Sequence, residues 1–276
     1  MRFASEVISS GHDLAESPGW NKFVNEFYWV DIETSEIFMM QRGAIRRFVS
    51  PFGATSAHPL GQNEYLVTGD NSIGHFLDGE WRALWVSKEI QPDWRFNDST
   101  LLPNGTLVVG TKSTGNRHQD QRVGLWDGTK LEWKFHGMTL SNGMVIEELT
   151  SRLIIADSIS RQLFSWGLSL TGEVDFEDEP GVFSVLSEGE PDGLSIDSEG
   201  MLWLALWGTG KLIQLDTLGT IKQTLQLAAA NVSSVSWGGE DSRSMLVTTA
   251  RGGTANMDAT IECAGGDVVL VNVYAD

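Results

Sequence analysis

The stretch "SNGMVIEELTSRLIIADS" (residues 141–158) contains the pattern from which the fold can be predicted. A polar residue opens a short strand, a turn follows, and an apolar strand then ends in a small or acidic residue. This unit recurs along the chain, with the second strands "YWVDI" (28–32), "YLVTGD" (65–70), "LVVGT" (107–111), "LIIADS" (153–158), "LWLALW" (202–207) and "MLVTTA" (245–250). Their centres lie roughly 38 to 49 residues apart, the period expected when each unit is a four-stranded propeller blade.

Six such units fill the chain and leave no linker that would divide it. We therefore predict one all-β domain over residues 1–276, a six-bladed β-propeller with four antiparallel strands in each blade. A β-sandwich also needs short strands and frequent turns, but the regular spacing favours the propeller. The N-terminal "FASEVIS" (3–9) is expected to pair beside "GDVVLVNV" (266–273) in the last blade. That pairing would close the ring and cover strand edges that are otherwise exposed.

The composition limits the classes of partner. The chain has 19 Lys and Arg against 37 Asp and Glu, a formal charge of -18, which repels phosphate backbones and anionic membranes. We therefore expect no nucleic acid and no membrane partner. The single cysteine, Cys263, excludes an internal disulfide framework and a cysteine-based zinc site. Without an apolar signal segment or a long apolar run, the sequence favours a cytoplasmic protein, a monomer or a small homo-oligomer.

Polar residues occupy equivalent positions in four units. Counting back about 12 or 13 residues from the centre of each second strand reaches Glu16, Asn97, Asn142 and Asp192. Equivalent positions of a propeller lie at the same height and radius, so these side chains should meet at one end of the central channel. Two buried carboxylates would repel each other, and a hard divalent cation such as Ca²⁺, Mg²⁺ or Mn²⁺ would remove that repulsion.

A simpler interpretation of the same residues is also open. Asn-Gly and Asp-Gly pairs, as at Asn142 and Asp192, often form turns without any further role. The Ser-Pro-Gly segment after Glu16 could likewise leave its carboxylate in water. Four such residues in one register favour the metal site over four independent turns.

Several motifs carry a family resemblance over essentially the whole chain. They are "ESPGWNKFVNEFYWVDI", "RFNDSTLLPNGTLVVGT", "SNGMVIEELTSRLIIADS", "PDGLSIDSEGMLWLALWGTGKLIQLD", and the closing "GGEDSRSMLVTTAR" with "AGGDVVLVNV". With these motifs in this order, the chain resembles the senescence marker protein-30/gluconolactonase family of six-bladed propellers.

The resemblance implies a metal-dependent lactonase that hydrolyses sugar lactones, with the metal ion in the central channel. By motif, Glu16, Asn142 and Asp192 match the metal ligands, and Asp192 also matches the base that activates water. Arg95 and Asn97 in "WRFND" match the residues that hold the substrate. The implied cofactor is one divalent ion, with Ca²⁺ favoured and Mg²⁺, Mn²⁺ or Zn²⁺ as alternatives.

One loop departs from the family pattern. Sugar-binding members have a substrate-clamping Glu after the second strand of the third unit, whereas the loop here is "KSTGNRHQDQR" (112–122). His118, Gln119 and Asp120 are the polar candidates there, and none is assigned a role. Trp207 is open to two interpretations, as a wall of the channel or as a packing residue between blades.

Two other functions remain open. A propeller can be a non-catalytic platform that binds a metal, a metabolite or a protein, because a fold does not determine a function. A metal-dependent hydrolase could also act on another ester class, such as an aryl ester or a phosphotriester. A serine hydrolase is excluded on sequence, since no Gly-x-Ser-x-Gly motif is present.

Overall fold

The computed structural model describes residues 2–87, 93–113, 120–253 and 259–274. These residues form six antiparallel sheets of four strands each, arranged as the six blades of a β-propeller. The described part of the chain contains no helix. It therefore also lacks any helix that is long and apolar enough to cross a membrane.

Each blade is a meander whose first strand lies at the central axis. Blades 1 to 3 consist of β2 (Ala15–Asn21), β3 (Glu26–Asp31), β4 (Glu36–Gln41) and β5 (Ala44–Val49); β6 (Ser56–Pro59), β7 (Glu64–Thr68), β8 (Ser72–Leu77) and β9 (Glu80–Val86); β10 (Trp94–Leu101), β11 (Leu107–Ser113), β12 (Gln121–Trp126) and β13 (Leu131–Met138).

The remaining three blades follow the same plan. Blades 4 to 6 consist of β14 (Ser141–Glu147), β15 (Arg152–Asp157), β16 (Gln162–Gly167) and β17 (Gly181–Val185); β18 (Glu190–Ile196), β19 (Leu202–Trp207), β20 (Lys211–Leu215) and β21 (Ile221–Gln226); β22 (Val232–Gly238), β23 (Ser244–Thr249), β24 (Val268–Tyr274) and β1 (Arg2–Ser9).

The ring is closed by pairing the two ends of the chain. Strand β1 runs antiparallel to β24, with Phe3 opposite Val273 and Val7 opposite Val269. Because β1 supplies the outermost strand of blade 6, the edge of β24 is covered and the first and last blades are joined. The predicted six-bladed propeller and its closure by the N-terminal strand are confirmed.

The hydrophobic core is divided among the blade interfaces. Six clusters of buried side chains lie between successive blades, including the one between blade 6 and blade 1. Trp203 and Trp29 are fully buried in two of them, and the Trp203 ring lies 5.8 Å from that of Trp237 in blade 6. The tryptophan-rich strands thus hold the blades together and fix the positions of the inner strands around the axis.

Candidate active site

A cavity of about 180 Å³ lies at one end of the axis, among the inner strands. Its wall contains all five residues singled out from the sequence, namely Glu16, Arg95, Asn97, Asn142 and Asp192. Leu14, Ile32, Leu140 and Trp207 add an apolar portion. Trp207 therefore contributes to the wall of the cavity. A wider, open depression of about 720 Å³ lies against blade 4 on the outside of the ring, away from these residues.

Strand pairing shows that four of these residues occupy corresponding places in their blades. Each follows a residue that pairs at or near the end of its blade's second strand: Ala15 opposite Asp31, Phe96 opposite Thr111, Ser141 opposite Asp157, and Pro191 opposite Leu206. The next residues are Glu16, Asn97, Asn142 and Asp192. The register counted from the sequence therefore corresponds to similar places in blades 1, 3, 4 and 5, although Glu16 still pairs with Val30 and the other three lie inside a bulge.

Bulges in the inner strands occur at these same places. The regular register is interrupted between Glu16 and Gly19, and between Phe96 and Ser99. It is interrupted again within 141–144 and within 191–194. A bulge releases a side chain from the strict alternation of a strand and re-aims it. The candidate residues can therefore turn toward the axis while the rest of each strand keeps its pairing.

The glycines after Asn142 and Asp192 lie inside strands and do not form turns. A Cβ on Gly143 would come within 2.3 Å of the Asp192 carbonyl oxygen, and one on Gly193 within 1.9 Å of the Ser234 hydroxyl. Glycine is required here because adjacent inner strands approach each other closely. The turn interpretation of Asn-Gly and Asp-Gly is thus wrong, and these pairs instead bring Asn142 near Asp192.

A chain of hydrogen bonds connects the polar residues across three blades. Arg95 donates to the Asn97 Oδ1 at 2.9 Å, and Asn97 Nδ2 donates to Asn142 Oδ1 at 3.0 Å. Asn142 in turn donates to the Ser158 hydroxyl at 3.2 Å, and Ser158 donates to the Pro191 carbonyl at 2.7 Å. This chain orients the Asn142 amide and connects it to the backbone next to Asp192.

The two carboxyl groups are buried and poorly compensated. Glu16 is 8% exposed and Asp192 is 4% exposed. Burial, and then the charge of Asp98, raise the pKa of Glu16 to about 8. Burial, and then the charge of Glu16, raise the pKa of Asp192 well above its usual value. Asp192 Oδ1 is buried and has no hydrogen-bond partner in the described structure.

Asp98 does not line the cavity, but its charge acts on both carboxyl groups, and the sequence did not single it out. It follows Asn97 in the bulge of β10, and it accepts a hydrogen bond from the Ser99 backbone amide at 2.8 Å. Burial raises the pKa of Asp98 to about 6. Its place directly after Asn97 would put it on the opposite face of a regular strand, so only the bulge explains its influence on Glu16 and Asp192.

Two further aspartates hold the segments that lead into the site. In blade 4, Asp157 accepts hydrogen bonds from the backbone amides of Thr139 and Leu140, the latter at 2.9 Å. In blade 1, Asp31 accepts from the Leu14 amide at 3.2 Å and from that of Asp13. Each tethered leucine lies two residues before a candidate ligand. The sequence pattern identifies both aspartates only as the acidic residues that end apolar strands.

The donor set can be compared with the needs of a metal ion. The described residues contain no group of three or more His, Cys, Asp or Glu side chains that could hold a metal. The predicted set consists of two carboxylates and an amide, since Asn142 is its third member. Asn142 Oδ1 keeps a second lone pair beside the bond from Asn97. Two buried carboxyls, one with an unpartnered oxygen, fit a hard cation that prefers oxygen ligands.

The stretch 112–122 contributes a residue that has no role in the sequence analysis. Lys112, its first residue, belongs to β11 and lines the cavity. Among the loop's polar candidates, Asp120 is exposed, whereas His118 and Gln119 lie outside the described residues. The signal that could have identified Lys112 is its place directly opposite Arg95 in the β10–β11 pair.

Comparisons with known proteins agree with this architecture. The sequence profile described as "SMP-30/Gluconolactonase/LRE-like region" matches residues 14–251. A "Putative sugar lactone lactonase YvrE" from Bacillus subtilis is 28% identical, over 86% of this chain and 83% of that protein. "Pentonolactonase XacC" from Haloferax volcanii is 27% identical, over 90% of this chain and 85% of that protein.

A solved structure shows the same fold at lower identity. It is a calcium-binding protein, regucalcin, from Agrobacterium tumefaciens, with a TM-score of 0.86 and 20% identity. The superposition covers 100% of this chain and 97% of the other. The likeness establishes a common propeller architecture.

Proposed function

The chain belongs to the SMP-30/gluconolactonase/LRE-like family, and on this premise we propose that it is a metal-dependent lactonase that hydrolyses a sugar lactone. The observation that carries the proposal is the meeting of Glu16, Asn142 and Asp192 in one cavity. Relatives named as a sugar lactone lactonase and a pentonolactonase support the reaction class. A non-catalytic platform without a metal leaves the buried, unpartnered Asp192 oxygen unexplained, and a platform that binds a metal differs from the lactonase in turning over no lactone.

The proposed ligands of the metal ion are Glu16, Asn142 and Asp192. Their oxygen donors favour Ca²⁺, with Mg²⁺, Mn²⁺ and Zn²⁺ as alternatives. Bound there, a divalent ion would act as a Lewis acid toward the lactone carbonyl. It would also compensate the two carboxylates, whose raised pKa values reflect burial without a cation. Regucalcin, a fold relative described as calcium-binding, is consistent with this choice.

Asp192 is the proposed base. A carboxylate has two oxygens, so one can face the cation while the other accepts a proton from the attacking water. Arg95 cannot serve as the base because its guanidinium remains protonated. Asn97 cannot either, because an amide does not accept a proton near neutral pH. Asp192 is therefore the group best suited to proton transfer beside the ligand cluster.

Arg95 and Asn97 are proposed to bind the substrate in unequal ways. Arg95 uses its Nη1 on the Phe96 carbonyl and on Asn97 Oδ1, and its other donors can reach ring or hydroxyl oxygens. Asn97 donates to the Ser141 carbonyl and to Asn142. Only a lone pair on its Oδ1 is then left to accept from a substrate hydroxyl. Asn97 thus also positions a proposed metal ligand.

The tether from Asp157 gives a test of how the site is supported. In wild type the Thr139 and Leu140 amides share the two carboxylate oxygens of Asp157. Asp157→Asn leaves a single side-chain oxygen to accept from both. We expect Ca²⁺ affinity to fall about 10- to 100-fold, since Asn142 follows the released segment. Calorimetric titration of the metal-free protein measures this affinity. The control is Asp216→Asn, which alters a partly buried aspartate outside the cavity that caps a turn by accepting from the Leu218 and Thr220 amides. If Asp157→Asn and Asp216→Asn bound Ca²⁺ with equal affinity, Asp157 would not support the proposed metal site.

The lactonase proposal is tested with a substrate panel. The purified protein is stripped with chelator, reloaded separately with Ca²⁺, Mg²⁺, Mn²⁺ or Zn²⁺, and assayed by acid release from hexonolactones and pentonolactones. An aryl ester and a phosphotriester test the other ester classes. We expect lactone turnover that chelation removes and one of the metals restores. No lactone turnover with any metal defeats the proposal, and turnover of the aryl ester or phosphotriester alone identifies a different hydrolase.

A further inference from the structure

Two cations face each other at the edge of the cavity. Arg95 on β10 and Lys112 on β11 are directly opposite in the antiparallel register, and both line the cavity. Directly opposed side chains of a pair project to the same face of a sheet, where like charges destabilise it. Almost any other residue at position 112 would avoid this electrostatic cost.

The two charges are not neutralised by a close ion pair. Within the described ranges, no carboxylate oxygen lies within 4.0 Å of Arg95 or Lys112. Elsewhere the chain pairs its cations readily, as in Lys211 with Glu188 at 2.6 Å. With 37 acidic residues against 19 basic ones, a partner would be easy to supply.

Burial makes this arrangement more costly. It lowers the pKa of Lys112, and the charge of Arg95 lowers it further. The carboxylates whose fields favour the charged ammonium include Asp192 and Glu16. In the proposed lactonase these two carboxylates hold the metal ion, so their charge is already compensated. Glu33 and Asp70 act on the pair from outside the cavity lining, and Glu190 lines the cavity. None of the three forms a close ion pair with Arg95 or Lys112 within the described ranges, so both cations still face the cavity without an adjacent counter-charge.

We propose that Lys112, beside Arg95, binds an anionic group on the substrate, a carboxylate or a phosphate ester, away from the lactone carbonyl. The enzyme would then prefer acidic sugar lactones to neutral ones. This inference rests on the proposed lactonase function. Lys112 is assigned to substrate selection and takes no part in proton transfer or metal binding.

The test compares one lactone ring with three different ends. The probes are a neutral hexonolactone, the hexarolactone that carries a terminal carboxylate, and the 6-phosphohexonolactone. Wild type should favour one acidic lactone over the neutral one. Lys112→Met, of similar length without charge, should raise KM for that acidic lactone about 10- to 100-fold. The ratio of kcat/KM for that acidic lactone to kcat/KM for the neutral one should fall by about the same factor, and Lys112→Arg should keep most of the preference.

A binding measurement separates this inference from the lactonase proposal. The open-chain hexarate, 6-phosphohexonate and hexonate are titrated by calorimetry into wild type and Lys112→Met. The inference is supported if wild type binds an acidic ligand more tightly than hexonate and Lys112→Met loses this difference. This result counts even where no lactone is hydrolysed. The inference is overturned if Lys112→Met loses activity equally on all three lactones or loses none on the acidic ones. It is also overturned if wild type prefers the neutral lactone. With Ca²⁺ bound to compensate Glu16 and Asp192, thermal unfolding should show Lys112→Met at least as stable as wild type, because a like-charge contact is removed.

Discussion

Asp192→Asn is expected to lower kcat for lactone hydrolysis about 100- to 10,000-fold, with the propeller intact. An asparagine keeps the size of the side chain and an oxygen that can face a cation, but it cannot accept a proton from water. The loss should therefore appear mainly in kcat, with a smaller effect on KM. Steady-state rates at saturating metal, with calorimetric metal affinity beside them, measure both quantities.

The matched control for this variant is Asp197→Asn in the same blade. Asp197 is also buried, and it accepts hydrogen bonds from Trp203 Nε1 at 2.9 Å and from Gln214 Nε2 at 3.0 Å. It does not line the cavity. Its replacement should lower the free energy of unfolding and leave kcat near the wild-type value. If Asp192→Asn retained full turnover with metal bound, another group would have to act as the base.

The second large effect concerns the pH dependence of stability without metal. In the folded, metal-free protein the Glu16 carboxyl has its pKa raised from 4.5 to about 8. The folded state therefore binds more protons than the unfolded state between these values, so the free energy of unfolding should fall as pH rises from about 4.5 to 8. The raised pKa of Asp192 acts in the same direction. The loss is on the order of a few kcal/mol.

Thermal unfolding in chelator at several pH values measures this loss. Added Ca²⁺ should restore stability most at the alkaline end, where both carboxyls must otherwise be charged. Glu16→Gln should be less sensitive to pH than wild type and should gain little from Ca²⁺. Glu36→Gln is the control, because Glu36 is equally buried at 8% but already pairs with Arg47 at 2.7 Å. A metal-free wild type that grows more stable over this pH range would refute the assignment of these carboxyls.

The inner strands contain both residues that the repeat predicts and one that only the folded chain reveals. Counting along the repeat singled out Glu16, Asn97, Asn142 and Asp192, which the structure brings to one cavity, because each blade places the start of its first strand at the axis. It did not identify Asp98. A regular strand would direct adjacent residues to opposite faces, whereas the bulge at 96–99 allows both Asn97 and Asp98 to affect the cavity.

The supporting residues show the same limit. Asp31 and Asp157 were expected only to end strands, yet their carboxylates hold the segments that lead to Glu16 and Asn142. The glycine after Asn142 suggested a turn, yet it permits the close approach of two blades. Both effects depend on contacts between segments far apart in the chain, which a local pattern does not contain.

The amino-acid order by itself determined the blade, its sixfold repetition, the closing strand and the polar positions at the axis. These follow from local hydrophobic alternation and turn residues, and a repeated unit must bury its faces against its neighbours. Only the tertiary structure decided that Glu16 and Asp192 are buried together, that Asn97 orients Asn142, and that Lys112 stands opposite Arg95. Burial, charge coupling and bulge geometry arise only when the six inner strands pack around one axis. They depend on contacts between strands of different blades, which no single segment of the sequence specifies.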